Sequence, residues 1–174
     1  MEQRSAGENH SNGDHKMGKV LVAYFSASGV TAALSKRLAE AIGADLFEIT
    51  PETPYTNADL NWTNKASRSS VEMADPASRP AIAAAVDDFQ RYDFVFIGFP
   101  IWWYREPSIV DTFVEMYDFT GKTIVPFATS GGSGLGDTTK NLHELAPGAT
   151  VVEGKRFPGN VSPSDLKTWA AQWL

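Results

Sequence analysis

The chain has no cysteine among its 174 residues. That absence excludes disulfides, thiolate nucleophiles, zinc–thiolate sites and cysteine-ligated iron–sulfur clusters. It also removes the low-molecular-weight tyrosine phosphatases, whose phosphate loop is built around a cysteine. Without disulfides a cytoplasmic location is expected. Histidine is nearly as scarce. Of three, His10 and His15 lie close to the start and only His143 lies in the body of the chain, so no histidine metal cluster is expected. No apolar run is long enough to span a bilayer, and no membrane role is expected. Basic charge is not in excess: 15 Lys and Arg stand against 21 Asp and Glu, for a net charge of −6. A nucleic-acid partner is therefore disfavoured, whereas an acidic surface suits docking on basic partner proteins.

What is present is material for one ordinary core, with 43% hydrophobic residues and no internal repeat. Residues Met1 to Gly18 are polar, lack the apolar segment of a secretory signal and read as a disordered leader, with Met17 a candidate start. The body, residues 19–174, reads as one domain.

Three segments of one kind carry the chemistry. In each, a buried strand runs into a loop of small or aromatic residues and then into a helix. The first has Val20 to Tyr24 as the strand and Phe25-Ser26-Ala27-Ser28-Gly29-Val30-Thr31 as the turn into the helix. A helix N-terminus carries unpaired N–H groups and the positive end of the dipole, so it can hold a phosphate. Ser26, Ser28 and Thr31 add hydroxyls, and Gly29 lets the backbone approach the anion. No Lys or Arg lies in the loop, so neutral dipoles would do the binding, as suits the phosphate of flavin mononucleotide (FMN). Serine and threonine also cap helices without any ligand.

The second segment is Phe94 to Phe99 followed by Pro100-Ile101-Trp102-Trp103-Tyr104-Arg105-Glu106-Pro107. Pro100 ends the strand and Pro107 suits a helix start. Tryptophans on such a loop either cover a flat aromatic ligand or fold back on the core. The third segment is Thr123 to Ala128 followed by Thr129-Ser130-Gly131-Gly132-Ser133-Gly134-Leu135-Gly136. It is either a flexible connector or a row of backbone groups able to grip the edge of a heterocycle.

The remaining pattern alternates strand and helix, which argues for a doubly wound parallel sheet. Val30, Leu34, Leu38 and Ile42 mark a helix ended by Gly43, before a short strand at Leu46 to Ile49. Ile82, Ala85, Val86 and Phe89 predict a second major helix after Pro80. Ile109, Phe113, Met116 and Tyr117 predict a third. A helix near Asp137 to Leu145, a strand near Thr150 to Val152 and a terminal helix opened by Ser162-Pro163 complete the chain, with Leu166, Trp169 and Trp173 inward. Residues 50–79 show little periodicity beyond one turn near Ala66 to Met73. A connection so long either folds over a binding site, which would bring Tyr55 and Trp62 to it, or is a surface insertion with Trp62 in the core.

These motifs resemble the flavodoxin family, in particular members with a Pro-Ile-Trp-Trp loop and a Thr-Ser-Gly-Gly-Ser-Gly loop. The resemblance runs from Lys19 to Leu174, with the three loops in order. It implies a five-stranded parallel sheet of order 2-1-3-4-5 between two layers of helices. Ser26 to Thr31 would bind the FMN phosphate, Pro100 to Tyr104 would flank the isoalloxazine, and Thr129 to Gly134 would border its pyrimidine side. Ligands of such sheets sit beyond the carboxyl ends of the strands where the order reverses. A response regulator on the same fold needs acidic residues at the ends of the first and third strands, where this chain has Ser26 and Pro100.

The function so implied is low-potential electron transfer by an FMN protein that docks on basic redox partners, as a monomer or homodimer. Glu106, Asp111 and the overall negative charge would oppose a reduced anionic flavin. Two departures point elsewhere. Val30 stands where many relatives have asparagine, and no glycine lies between Pro100 and Pro107, where a flexible peptide usually faces the ring. An FMN-dependent NAD(P)H oxidoreductase acting on quinones or nitroaromatics is the alternative, although no nicotinamide motif is recognisable. A non-redox binding module leaves the tryptophans and the glycine loop without a purpose.

Overall fold

Three apolar segments with residues buried on both faces form the centre of a parallel sheet, because a parallel sheet must be covered on both sides. The computed structural model describes residues 19–130 and 132–174. Residues 1–18, expected to be a leader, and Gly131 of the third loop lie outside the described residues. Strands β1 (Lys19–Tyr24), β2 (Asp45–Glu48), β3 (Tyr92–Pro100), β4 (Thr123–Thr129) and β5 (Thr150–Val151) run in the order β2-β1-β3-β4-β5. All their pairings are parallel, and Val22 lies opposite Phe96 just as Phe96 lies opposite Val125. This is the flavodoxin-like order, and it makes β1 and β3 neighbours.

A sixth short strand, β6 (Lys155–Phe157), was not expected. It pairs with β4 beyond β5, so the fifth position of the sheet is one strand interrupted at Val152 to Gly154. The interruption falls beside Pro126, which has no N–H to donate. Gly154 fills the gap because a Cβ there would lie 1.8 Å from the Pro126 carbonyl oxygen.

Alternate residues of the strands feed two cores. One face carries Leu21, Val95, Ile97 and Phe99 under helices α3 (Ser108–Glu115) and α4 (Thr138–Leu145), which contribute Ile109, Phe113 and Leu142. The other carries Val20, Val22, Phe96 and Phe127 under α1 (Val30–Ile42) and α5 (Pro163–Ala170), with Leu34, Leu38 and Leu166. Ser162 caps α5 by accepting from the Asp165 N–H, with Pro163 in the first turn. Among the described residues, no helix is long and apolar enough to cross a membrane.

Two expectations are corrected. No helix follows Pro80. Ile82 and Val86 are half-buried and Phe89 is buried, but the backbone forms a single antiparallel bridge from Ile82 to Pro51, then a bend and a turn, and ends in one 3₁₀ turn, Phe89–Arg91. The N–H of Ala83 bonds the Thr50 carbonyl and that of Glu52 bonds Ala81. The chain leaving β2 thus claims the backbone groups that a helix would have needed. In α1, Val30 is exposed and Thr31 takes the inward place. Positions four apart drift about 40° at each step, so 30 and 42 cannot both point at the sheet. The buried face is instead Thr31, Leu34, Ser35, Leu38 and Ala39.

Candidate functional site

All three loops leave the carboxyl ends of β1, β3 and β4, and hydrogen bonds join them. The Phe25 N–H donates to the Gly98 carbonyl, and the hydroxyls of Thr31 and Thr129 are bonded at 2.8 Å. Both threonines are buried, so this bond joins the first loop to the third from within.

In the first loop, Gly29 takes φ 96°, a left-handed conformation that glycine adopts without cost. The Ser26 hydroxyl accepts from the N–H groups of Gly29 and Ala32, both at 3.1 Å. Used twice as an acceptor, it keeps its one hydrogen to donate. The N–H groups of Val30 and Thr31 find no acceptor among the described residues. Ser28 and Gly29 are exposed and nothing lies within 4 Å of the Cβ position of Gly29. An open, uncharged set of donors at a helix N-terminus fits a phosphate.

The second loop is a tight two-residue turn. Trp102 and Arg105 exchange N–H to carbonyl bonds of 3.0 and 3.1 Å, and between them Trp103 and Tyr104 take φ 49° and 65°. Left-handed backbone costs a non-glycine residue about 1–2 kcal/mol, so this turn is strained and must be held. The third loop holds it. The Asp137 N–H bonds the Tyr104 carbonyl at 3.1 Å, and Gly136 lies so close that a Cβ would stand 1.9 Å from that oxygen.

Trp102 is half-buried, set edge-on to Phe25 at 5.5 Å and to Tyr55 at 5.6 Å between ring centroids. Tyr55 is fixed in turn by Glu72, which accepts its hydroxyl, and by the Arg68 guanidinium 3.8 Å above its ring. Burial and that hydrogen bond push the Tyr55 phenol well above its ordinary pKa. Trp103 and Tyr104 remain exposed. With Trp102, Ile101, Ser133, Leu60, Trp62 and Ser69 they line an open cavity of about 390 Å³. The 50–79 excursion therefore reaches this cavity, with Ser69 on the short helix α2 (Arg68–Ala74) and Trp62 73% exposed at the rim. Trp62 is not in the core.

Glu106 and Asp111, expected as negative charge beside the site, are corrected by their surroundings. Both are buried. Burial and a hydrogen bond to Asp111 push the Glu106 carboxyl up to about 9, so it holds a proton at neutral pH. Burial raises Asp111 as well. Asp111 Oδ1 has no hydrogen-bond partner among the described residues. Arg105 and Arg79 lie 3.4 and 4.0 Å from Asp111 Oδ2, and Asn141 donates to Glu106 at 3.2 Å. The cluster contributes no net negative charge.

Of the expected residues, Ser26, Thr31, Tyr55, Ile101 to Tyr104, Thr129 and Ser133 take part in these contacts or line the cavity. Ala27, Ser28, Gly29 and Val30 form the first loop's edge. Pro100 pairs with Thr129 at the end of the sheet, and Ser130 bonds the Ser133 carbonyl through its hydroxyl. Gly132 and Gly134 are exposed. Three participants went unnoticed in the sequence. Leu60 and Ser69 carry no motif, and Gly136 looked like one more glycine of a flexible loop.

The flavodoxin family model matches residues 19–173. The chain belongs to the flavodoxin family. A solved structure from Bacteroides eggerthii, provisionally described as a flavoprotein, is 47% identical to it, with a TM-score of 0.84 over 90% of this chain and 98% of that one. A Lactobacillus acidophilus flavoprotein solved in complex with FMN is 21% identical, with a TM-score of 0.66 over 88% of this chain and 99% of that one, a likeness of fold. The FMN-dependent NADH:quinone oxidoreductase 3 of Bacillus anthracis is 29% identical over 135 residues, 74% of this chain. This flavodoxin-family chain covers 62% of that relative's length.

Proposed function

We propose that this chain binds FMN across its three loops and hands electrons between redox partners. The observation that carries this reading is the convergence of the loops, with a phosphate-type helix N-terminus joined by the Thr31–Thr129 bond to the loop that borders an aromatic cavity. Bound flavin supplies the redox chemistry, and the chain supplies binding, orientation and electrostatics. The Ser26 hydroxyl and the N–H groups of Val30 and Thr31 would hold the phosphate. Trp102, braced by Phe25 and Tyr55, and the turn at Trp103 and Tyr104 would flank the ring. Trp62 would limit water at its exposed edge. The main-chain groups of Thr129 to Gly134 would border the pyrimidine side.

One observation favours a second reading, an FMN-dependent NAD(P)H oxidoreductase acting on quinones or nitroaromatics. The carboxyl pair that would have repelled a reduced anionic flavin is neutralised by a shared proton and two arginines. The resemblance to NADH:quinone oxidoreductases supports the same reading. Titration of the protein with FMN, followed by anaerobic reduction, tests both. Quenching of flavin fluorescence with a one-electron signal supports the carrier, and NADH oxidation with a quinone acceptor supports the oxidoreductase. No quenching at micromolar protein overturns the proposal.

A further inference from the structure

We propose that Arg156, a residue outside the three loops, sets the charge felt on the pyrimidine side of the site and favours flavin reduced by two electrons; this rests on the FMN reading above. Arg156 lies on β6, the strand created by the interruption beside Pro126. In the register it is opposite Ala128, one residue before Phe157 opposite Thr129. Phe157 is buried with Val125 and Phe127 in the core under α1 and α5. Side chains alternate along a strand, so Arg156 projects to the opposite face, towards the third loop. There its Nη1 donates to the Ser130 carbonyl at 3.1 Å.

The loops themselves contain no charged residue from Ser26 to Thr31, from Pro100 to Tyr104, or from Thr129 to Gly134. Among the described residues, Arg156 is the one charged side chain that hydrogen-bonds to any of them. No carboxylate lies within 4.0 Å of it among the described residues. The buried carboxyls Glu106 and Asp111 are faced by Arg105 and Arg79 and not by Arg156 among the described residues. Arg156 is half-buried, and a partly buried charge is screened less than an exposed one. Its hydrogen bond also polarises the Ser130 peptide, at the start of the loop segment that would border the ring. Two-electron reduction of FMN leaves negative charge on the pyrimidine portion at neutral pH, and a cation nearby stabilises that state over the oxidised one. Arg156 is thus a positioning residue that acts through Ser130 and through its field.

The test compares wild type with Arg156→Gln and Arg156→Lys, by FMN fluorescence titration and by the two-electron midpoint potential of bound flavin. Glutamine keeps a donor for Ser130 and removes the charge. Lysine keeps the charge. The expected result is that Arg156→Gln lowers the preference for reduced over oxidised FMN about tenfold, about 30 mV for a two-electron couple. Affinity for oxidised FMN changes much less, and Arg156→Lys stays near wild type. An unchanged potential in Arg156→Gln overturns the proposal while leaving FMN binding intact. If Arg156→Gln fails to fold or bind, Arg156→Met decides: a potential lowered relative to wild type supports the role of charge, and an unchanged one overturns it. If wild-type protein binds no FMN, the functional reading fails and this inference falls with it.

Discussion

The first and second loops do comparable work at the ends of neighbouring strands, yet their backbones are held in opposite ways. In the first, the one left-handed position is Gly29, where that conformation is free, and Ser26 closes the helix end by a local bond. In the second, the left-handed positions are Trp103 and Tyr104, where it is costly. That turn persists because distant groups hold it: Gly136 and Asp137 from the third loop, and Arg105 anchored on Asp111 of α3. A local loop can be understood from its own residues. A strained one exists only in the company of its clamps, and such strain concentrates at functional sites.

The largest break in this comparison comes from the clamp. Gly136→Val places a branched side chain against the Tyr104 carbonyl at a residue whose φ is 55°. It should cost about 3 kcal/mol in urea denaturation and weaken FMN binding. An intact stability would mean that the turn is not held from the third loop. The next effect is in the anchor. The Glu106 proton is bound in the folded protein up to about pH 9, whereas the ordinary value is 4.5. The folded state therefore binds more protons between these values, and stability falls as pH rises through that window. The slope approaches about 1.4 kcal/mol per pH unit at most. Glu106→Gln should flatten it and leave the protein more stable than wild type at pH 8. Equal slopes in denaturation curves from pH 5 to 9 would reject the shared proton. The smallest effect sharpens the contrast between the loops. Tyr104→Gly removes backbone strain at an exposed side chain but loosens the unfolded chain. The net should be a gain of about 0.5 kcal/mol, read as a higher urea midpoint. A loss would show that the Tyr104 ring contributes more than its backbone costs.

What could be read from residue order was mostly local. The apolar runs of β1, β3 and β4, the glycine and hydroxyls of the first loop, and Ser162-Pro163 at the start of α5 each announce their structure over a few residues. The parts misread or left open depended on partners distant in the chain. Ala81 to Phe89 has the composition of a helix, but the backbone of Thr50 and Glu52 captures it. β6 exists because Pro126, on another strand, interrupts the fifth position of the sheet. The length of the 50–79 connection leaves Trp62 either at the rim or in the core, and only the packing of that segment against the Trp102–Tyr104 turn decides for the rim. Glu106 and Asp111 carry formal negative charge in any listing of residues, and only their burial together removes it.

By itself, then, the sequence determined the alternation of strand and helix, the three loops at strand ends and membership of the flavodoxin family, because these follow from short-range patterning and turn chemistry. The tertiary structure decided the state of the site: a strained turn held by another loop, a carboxyl pair sharing a proton, and an arginine from the interrupted edge strand reaching Ser130. Strain, desolvation and charge balance are properties of groups brought together from distant positions, and only the folded chain brings them together.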